Sequence, residues 1–177
     1  ATNSLALNSG TIKDAALNAA ILTLASPGAA NSLGANKLLI VDTTVPTVTG
    51  VTSTTNNGSY KQGQTIAITI GFSEVVYVTG TPQLALETGG SDAVVNYSSG
   101  TGSNTLTFNY TIGSGETSSD LDYVATNSLA LNSGTIKDAA LNDATLTLAS
   151  PGASNSLGNN KALIVDTSVP TISGVSL

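Results

Sequence analysis

The chain has no cysteine, methionine, tryptophan, histidine or arginine; its five basic residues are Lys13, Lys37, Lys61, Lys137 and Lys161. Without cysteine there is neither a disulfide framework nor a thiolate metal site. A secreted fold of this kind must then draw its stability from a β core or from bound ions. The missing histidine and cysteine remove the commonest general base and the thiol nucleophile, and no serine sits in a G-x-S-x-G turn. Carboxylate pairs could in principle serve a glycosidase-like reaction. They lie, however, in loops that recur with the sequence repeat described below, so no enzymatic activity is expected. Five dispersed lysines against eleven acids leave a net charge of −6. That excludes the clustered cations that nucleic-acid binding requires. No apolar run approaches transmembrane length, so no membrane insertion is expected of this segment.

What is abundant is serine, threonine, asparagine and glycine around a 40 % hydrophobic content, with only 9 % of residues charged. That combination suits an exported surface protein and leaves enough apolar side chain for a real core. The stretch ATNSLALNSGTIKDAALN occurs twice, at Ala1 and again at Ala125. With the chain laid on itself at a shift of 124 places, 53 positions align, ten differ and 43 are identical. A period of 124 residues is far longer than the 20–50 residues of solenoids and propellers; it is the length of an independent domain. The expectation is a tandem array: residues 1–42 the C-terminal part of one module, 43–166 a complete module, and 167–177 the first strand of the next. Residues 1–42 alone lack the sheet partners that strands such as TIAITIGF supply. Those partners would come from an upstream part of the same polypeptide or, by strand exchange, from a neighbouring chain in a fibre.

Short runs of alternating apolar and β-branched residues, punctuated by glycine, asparagine, serine and proline, predict strands throughout. They fall at Pro46–Thr54, Thr65–Phe72, Val75–Val78, Gln83–Glu87, Asp92–Ser98, Asn104–Ile112, Ser128–Asn132, Gly134–Asp138, Ala144–Leu148 and Lys161–Asp166. Asn56–Gln64 reads as a turn region. In Thr65–Phe72, Ile66, Ile68, Ile70 and Phe72 share one face, the pattern of a sheet buried on one side. No stretch has helical periodicity, and KDAALN could form a single turn at most. The fold class expected is all-β. A sandwich suits an array better than a closed barrel, because its two ends lie at opposite poles.

DTTVPTVTGV, GFSEVV, SLALNSGTIKDAALN and NKALIVDT together resemble the Ig-like tandem repeats of giant bacterial surface adhesins and related secreted proteins. The resemblance covers effectively the whole chain. It implies Ig-like β-sandwich modules strung into a long extracellular stalk, and it implies a glycine in the loop where Leu17 and Leu141 stand.

The acids admit two readings. Calcium takes six to eight oxygens from carboxylates, asparagine side chains, backbone carbonyls and water, and needs neither His nor Cys. Candidate ligands are Asp42, Glu74, Asp120, Asp122, Asp138, Asn142, Asp143 and Asp166, with Asp14 and Asn18 the counterparts of Asp138 and Asn142. A simple meander places Asp42, Glu74 and the KDAALND loop at one pole of a module, and the DLDY stretch and Asp166 at the other. Bound calcium would then stiffen each junction. The second reading is local: Asp and Asn in loops close Asx turns without any ion. The five tyrosines could form a sugar-stacking platform for a glycan- or receptor-binding module, although strand tyrosines more often cover a sheet edge.

Overall fold

The computed structural model describes residues 3–174, and the chain divides into two units, Ala1–Asp42 and Thr43–Leu177. The final residues of the expected following strand, 175–177, lie outside the described residues, and 167–174 carry no strand. Among the described residues no helix is long and apolar enough to cross a membrane.

The second unit is all-β apart from one helical turn. Its strands are β1 Val48–Ser53, β2 Gly58–Tyr60, β3 Thr65–Thr79, β4 Gln83–Leu86, β5 Ala93–Ser99, β6 Ser103–Thr111, β7 Leu129–Ala130, β8 Thr135–Lys137 and β9 Leu163–Val165. Seven of them form an antiparallel sheet in the order β1-β3-β6-β5-β4-β7, with β8 added on β3; β2 and β9 make a separate parallel pair. The alternation read from TIAITIGF holds: Ile66, Ile68, Ile70 and Phe72 are buried, as are Leu106, Phe108 and Tyr110 facing them from β6. Each aliphatic side chain fully removed from water contributes about 1.5–3 kcal/mol, and this face supplies the largest share of the core. Tyr97 closes it edge-on against Phe108, with ring centroids 6.1 Å apart.

Two predicted strands, Thr65–Phe72 and Val75–Val78, are one continuous element of 15 residues. Its first half pairs with β1 and β6; after an irregularity between Gly71 and Val76 its second half pairs with β8. Such a bulge bends a strand and raises its local twist, which lets one strand change neighbours and curl the sheet. The turn region Asn56–Gln64 contains β2, which shows no alternation because only three residues pair. Ala144–Leu148 is no strand. It carries one isolated bridge, Thr145 to Thr47, with the Thr145 N–H donating to the Pro46 carbonyl and the Ala144 N–H to the Ile136 carbonyl of β8, although Leu148 is buried.

The first unit, described by itself, carries the same turns as its counterpart 124 residues on. The Leu17 N–H donates to the Asp14 carbonyl as Leu141 does to Asp138, and Ala20 to Ile12 as Ala144 does to Ile136. Each copy contains one helical turn, α1 Leu33–Asn36 and α2 Leu157–Asn160, capped by Ser32 and Ser156 through their hydroxyl oxygens. One turn is too short to leave a periodic signal, so neither helix was legible in the sequence. What differs is strand content. The residues that form β7, β8 and β9 in the second unit form no strand at 5–6, 11–13 and 39–41. Leu33 is 68 % exposed where Leu157 is 0 %, and Val41 is 92 % exposed where Val165 is 2 %.

Leu17 and Leu141 both adopt left-handed backbone, with φ of 69° and 71°. This is the loop position at which the resemblance implies glycine. A β-carbon in that region costs roughly 1–2 kcal/mol, and Leu141 is 72 % exposed, so its side chain regains little by burial. Leu141→Gly should raise the stability of the second unit by roughly 0.5–1 kcal/mol once glycine's greater unfolded-state freedom is offset. Leu141→Ala, which keeps the β-carbon, should give no gain. Chemical denaturation of both variants decides it; equal midpoints for Gly and Ala would refute the strain.

Candidate metal centre

Glu74 lies in the irregular stretch of β3 between Gly71 and Val76, where the ladder to β6 is interrupted. Asp138 follows β8 directly, and β8 is held against the far half of the same strand by Val78 opposite Ile136. The bend in β3 and the end of β8 thereby meet. Glu74 and Asp138 each offer a carboxylate oxygen, and these oxygens lie within 4.8 Å of one another.

Asp138 is buried, and its loop is closed by a reciprocal set of bonds with Asn142. The Asp138 N–H donates to the Asn142 carbonyl at 3.1 Å. The Asn142 N–H donates to Asp138 Oδ1 at 2.8 Å, and its side-chain amide to Oδ2 at 2.7 Å. The same amide also donates to the Thr44 carbonyl at 3.2 Å, pinning the loop to the chain entering the module. Burial tends to raise the Asp138 pKa. Hydrogen bonds from the Asn142 side chain and from the backbone of Asn142, Ala140 and Leu141 outweigh it and hold the carboxyl below its ordinary value. Asp14 is held low in the same way, first by the Asn18 side chain and then by its backbone. The Asx-turn reading is thus visible directly at both copies.

An ion is not thereby excluded by chemistry. An ionised carboxylate has about four lone-pair positions; Asn142 donates to each Asp138 oxygen, and the backbone of Ala140 and Leu141 donates as well. Glu74 and Asp138 offer hard carboxylate oxygens. Asp143 stands outside, in an exposed ion pair with Lys137 at 2.7 Å, of the kind worth little in water. Asp42 closes the first unit and is joined through Thr43 to Thr44.

The remaining candidates do not gather. Asp122 is buried and spends both oxygens on backbone, accepting from the Tyr123 N–H and the Gly152 N–H, each at 2.9 Å. Asp120 and Asp122 both face the first turn of α2, where a β-carbon on Gly158 would stand 3.4 and 3.0 Å from their Oδ2 atoms. Asp166 makes an Asx turn, accepting from the Ser168 N–H at 2.8 Å. Among the described residues, Asp120, Asp122 and Asp166 belong to no group of three acids able to hold a metal. Nor do the tyrosines share a surface. Tyr110 and Tyr123 are core residues, while Tyr77 is exposed.

One polar element went unread in the sequence. Glu116 accepts from the Tyr110 hydroxyl at 2.7 Å and from the Gly113 N–H at 2.6 Å. Burial first, and then the Glu116 hydrogen bond and charge, push the Tyr110 pKa well above its ordinary range. Tyr123 is pushed up to about 12 by burial and the Asp122 charge, and its hydroxyl donates to the Ala149 carbonyl. The only sequence signal for the first latch was a lone glutamate three residues after Gly113 in a G-S-G-E turn.

No family model, curated protein or solved structure matches this chain.

A carboxyl that is low in the folded chain and ordinary when unfolded adds stability above about pH 4. That stability is lost as the pH falls through the folded value. Asn142→Ala should therefore raise the Asp138 pKa followed by carboxyl NMR. It should destabilise the second unit at pH 7 and have a much smaller effect at pH 2. An Asp138 titration that ignores the substitution would show the Asn142 bonds to be electrostatically idle.

Proposed function

We propose that the chain is a structural and adhesive repeat segment of a long extracellular bacterial surface protein or fibre. Its modules are Ig-like β-sandwiches joined end to end, with calcium stiffening the entry to each module. The observation that carries this reading is the near-identity of 53 residues at a domain-length spacing. Copying whole domains lengthens a stalk without needing any new chemistry, and array proteins are built from such units.

The all-β second unit, with its antiparallel sheet, supports the sandwich. The acidic, low-charge surface without cysteine supports an exported setting. Within the second unit, Glu74 and Asp138 would supply carboxylates to the ion. A divalent cation would convert the repulsion of neighbouring carboxylates into cohesion. Its partners are the neighbouring modules. A glycan-binding role has less support, because the tyrosines are divided between core and surface.

Thermal unfolding of the full chain in calcium and in chelator tests the ion. At 100 times its dissociation constant calcium should stabilise the second unit by about 2.7 kcal/mol, a rise of several degrees in Tm. The increment, rather than the absolute Tm, should vanish in a Glu74→Gln/Asp138→Asn variant. An identical transition in calcium and chelator would remove the ion from the proposal and leave the sandwich standing.

A further inference from the structure

The two near-identical copies, residues 5–41 and 129–165, have opposite surroundings. In the second copy Leu129, Ile136, Leu148, Leu157, Leu163 and Val165 are buried, and residues 43–124 supply the strand partners. Leu129 pairs with Leu84 of β4, Ile136 with Val78 of β3, and Val165 with Tyr60 of β2. The Val165 N–H donates to the Ser118 carbonyl and the Asp166 N–H to the Tyr60 carbonyl, at 2.8 and 2.9 Å, while Leu163 accepts from Leu121. In the first copy the counterparts Leu5, Ile12, Leu24, Leu33, Leu39 and Val41 are all exposed. Six exposed apolar side chains whose identical counterparts are buried point to an interaction surface. Here the second copy shows residue by residue what covers it.

The framework of this same chain cannot be that cover in the same register. Residue 42 is bonded to Thr43, and the chain enters the framework near Ser73, whose N–H donates to the Thr47 carbonyl. The seat of the equivalent residue, Asp166, is beside Tyr60, just before Thr65 at the other end of β3. Thr65 and Ser73 are on the order of 25 Å apart along an extended strand, whereas the five residues from Asp42 to Thr47 reach at most about 18 Å. With residues 48–53 in place as β1, residues 1–42 cannot occupy the seat that 125–166 hold.

We propose that residues 5–41 are a docking surface for a strand framework of the type of residues 43–124 belonging to another module of the same polypeptide. The surface adds strands at 5–6, 11–13 and 39–41 to that framework's β4, β3 and β2. Recognition is by β-augmentation: main-chain bonds to the framework's Ser118- and Tyr60-type carbonyls, with Leu5, Ile12, Leu33, Leu39 and Val41 as anchors. This inference does not depend on calcium.

The test is a chain in which residues 43–124 are repeated immediately before Ala1, so that the junction reproduces Val124–Ala125. Amide exchange at Val41 and Asp42 should slow on the order of 100-fold or more, to match Val165 and Asp166, and independently of protein concentration. Ile12→Asp in the extended chain should abolish that protection while residues 125–166 remain protected as an internal reference. Fast exchange at Val41 and Asp42 in the extended chain, with Val165 and Asp166 still protected, would overturn the proposal. So would protection that develops in the original chain on raising its concentration, which would make the occupant a second copy.

Discussion

Strand pairing is the constraint on which everything else in this molecule rests. Residues 129–130, 135–137 and 163–165 are strands because β4, β3 and β2 lie beside them. The same letters at 5–6, 11–13 and 39–41, without such neighbours, are not. What survives in both settings is chemistry confined to a few adjacent residues: the serine-capped helical turn, the Asp–Asn loop and the left-handed leucine. The pair of copies thus separates two levels of structure within one polypeptide. Turns and caps are dictated locally, whereas strand identity and burial are properties of a pair of segments.

The same division explains how the acids behave. Asp138 and Asp14 each bond to the asparagine four residues on, whatever lies beyond the loop, so these loops are self-sufficient. The approach of Glu74 to Asp138 is of the other kind. It depends on the irregularity in β3 between Gly71 and Val76 and on the pairing of β8 with residues 77–79 of that strand. Turn closure fixes the direction of the Asp138 carboxylate. Asp122 differs because both of its oxygens face backbone donors, and it acts as a latch between the DLDY stretch and the loop ahead of α2.

How much of this was legible from the sequence follows the same line. The all-β class and most strand positions could be read, because alternation in Thr65–Phe72 and Asn104–Ile112 reports burial on one face directly. The grouping of Glu74 with Asp138 could be read because a meander returns those two segments to the same end. The continuity of β3 could not, since a bulge at Ser73–Glu74 looks in sequence like a turn. Nor could β2, whose three residues pair in parallel with a strand more than a hundred positions away. Ala144–Leu148 alternates like a strand yet carries only one isolated bridge, because alternation records which side chains are buried and not whether the backbone finds a partner. The Glu116 latch was invisible because nothing in a solitary acid announces a buried tyrosine hydroxyl beside it.

The entry of the second unit beside Ser73 and its exit beside Tyr60, at opposite ends of β3, bear on how the unit would respond to a pull on its two ends. Tension applied through Thr43 and Asp166 runs along β1 and β9, nearly at right angles to the hydrogen bonds that hold them. In that direction the bonds of a ladder resist together, as in a lap joint, instead of opening singly like a zip.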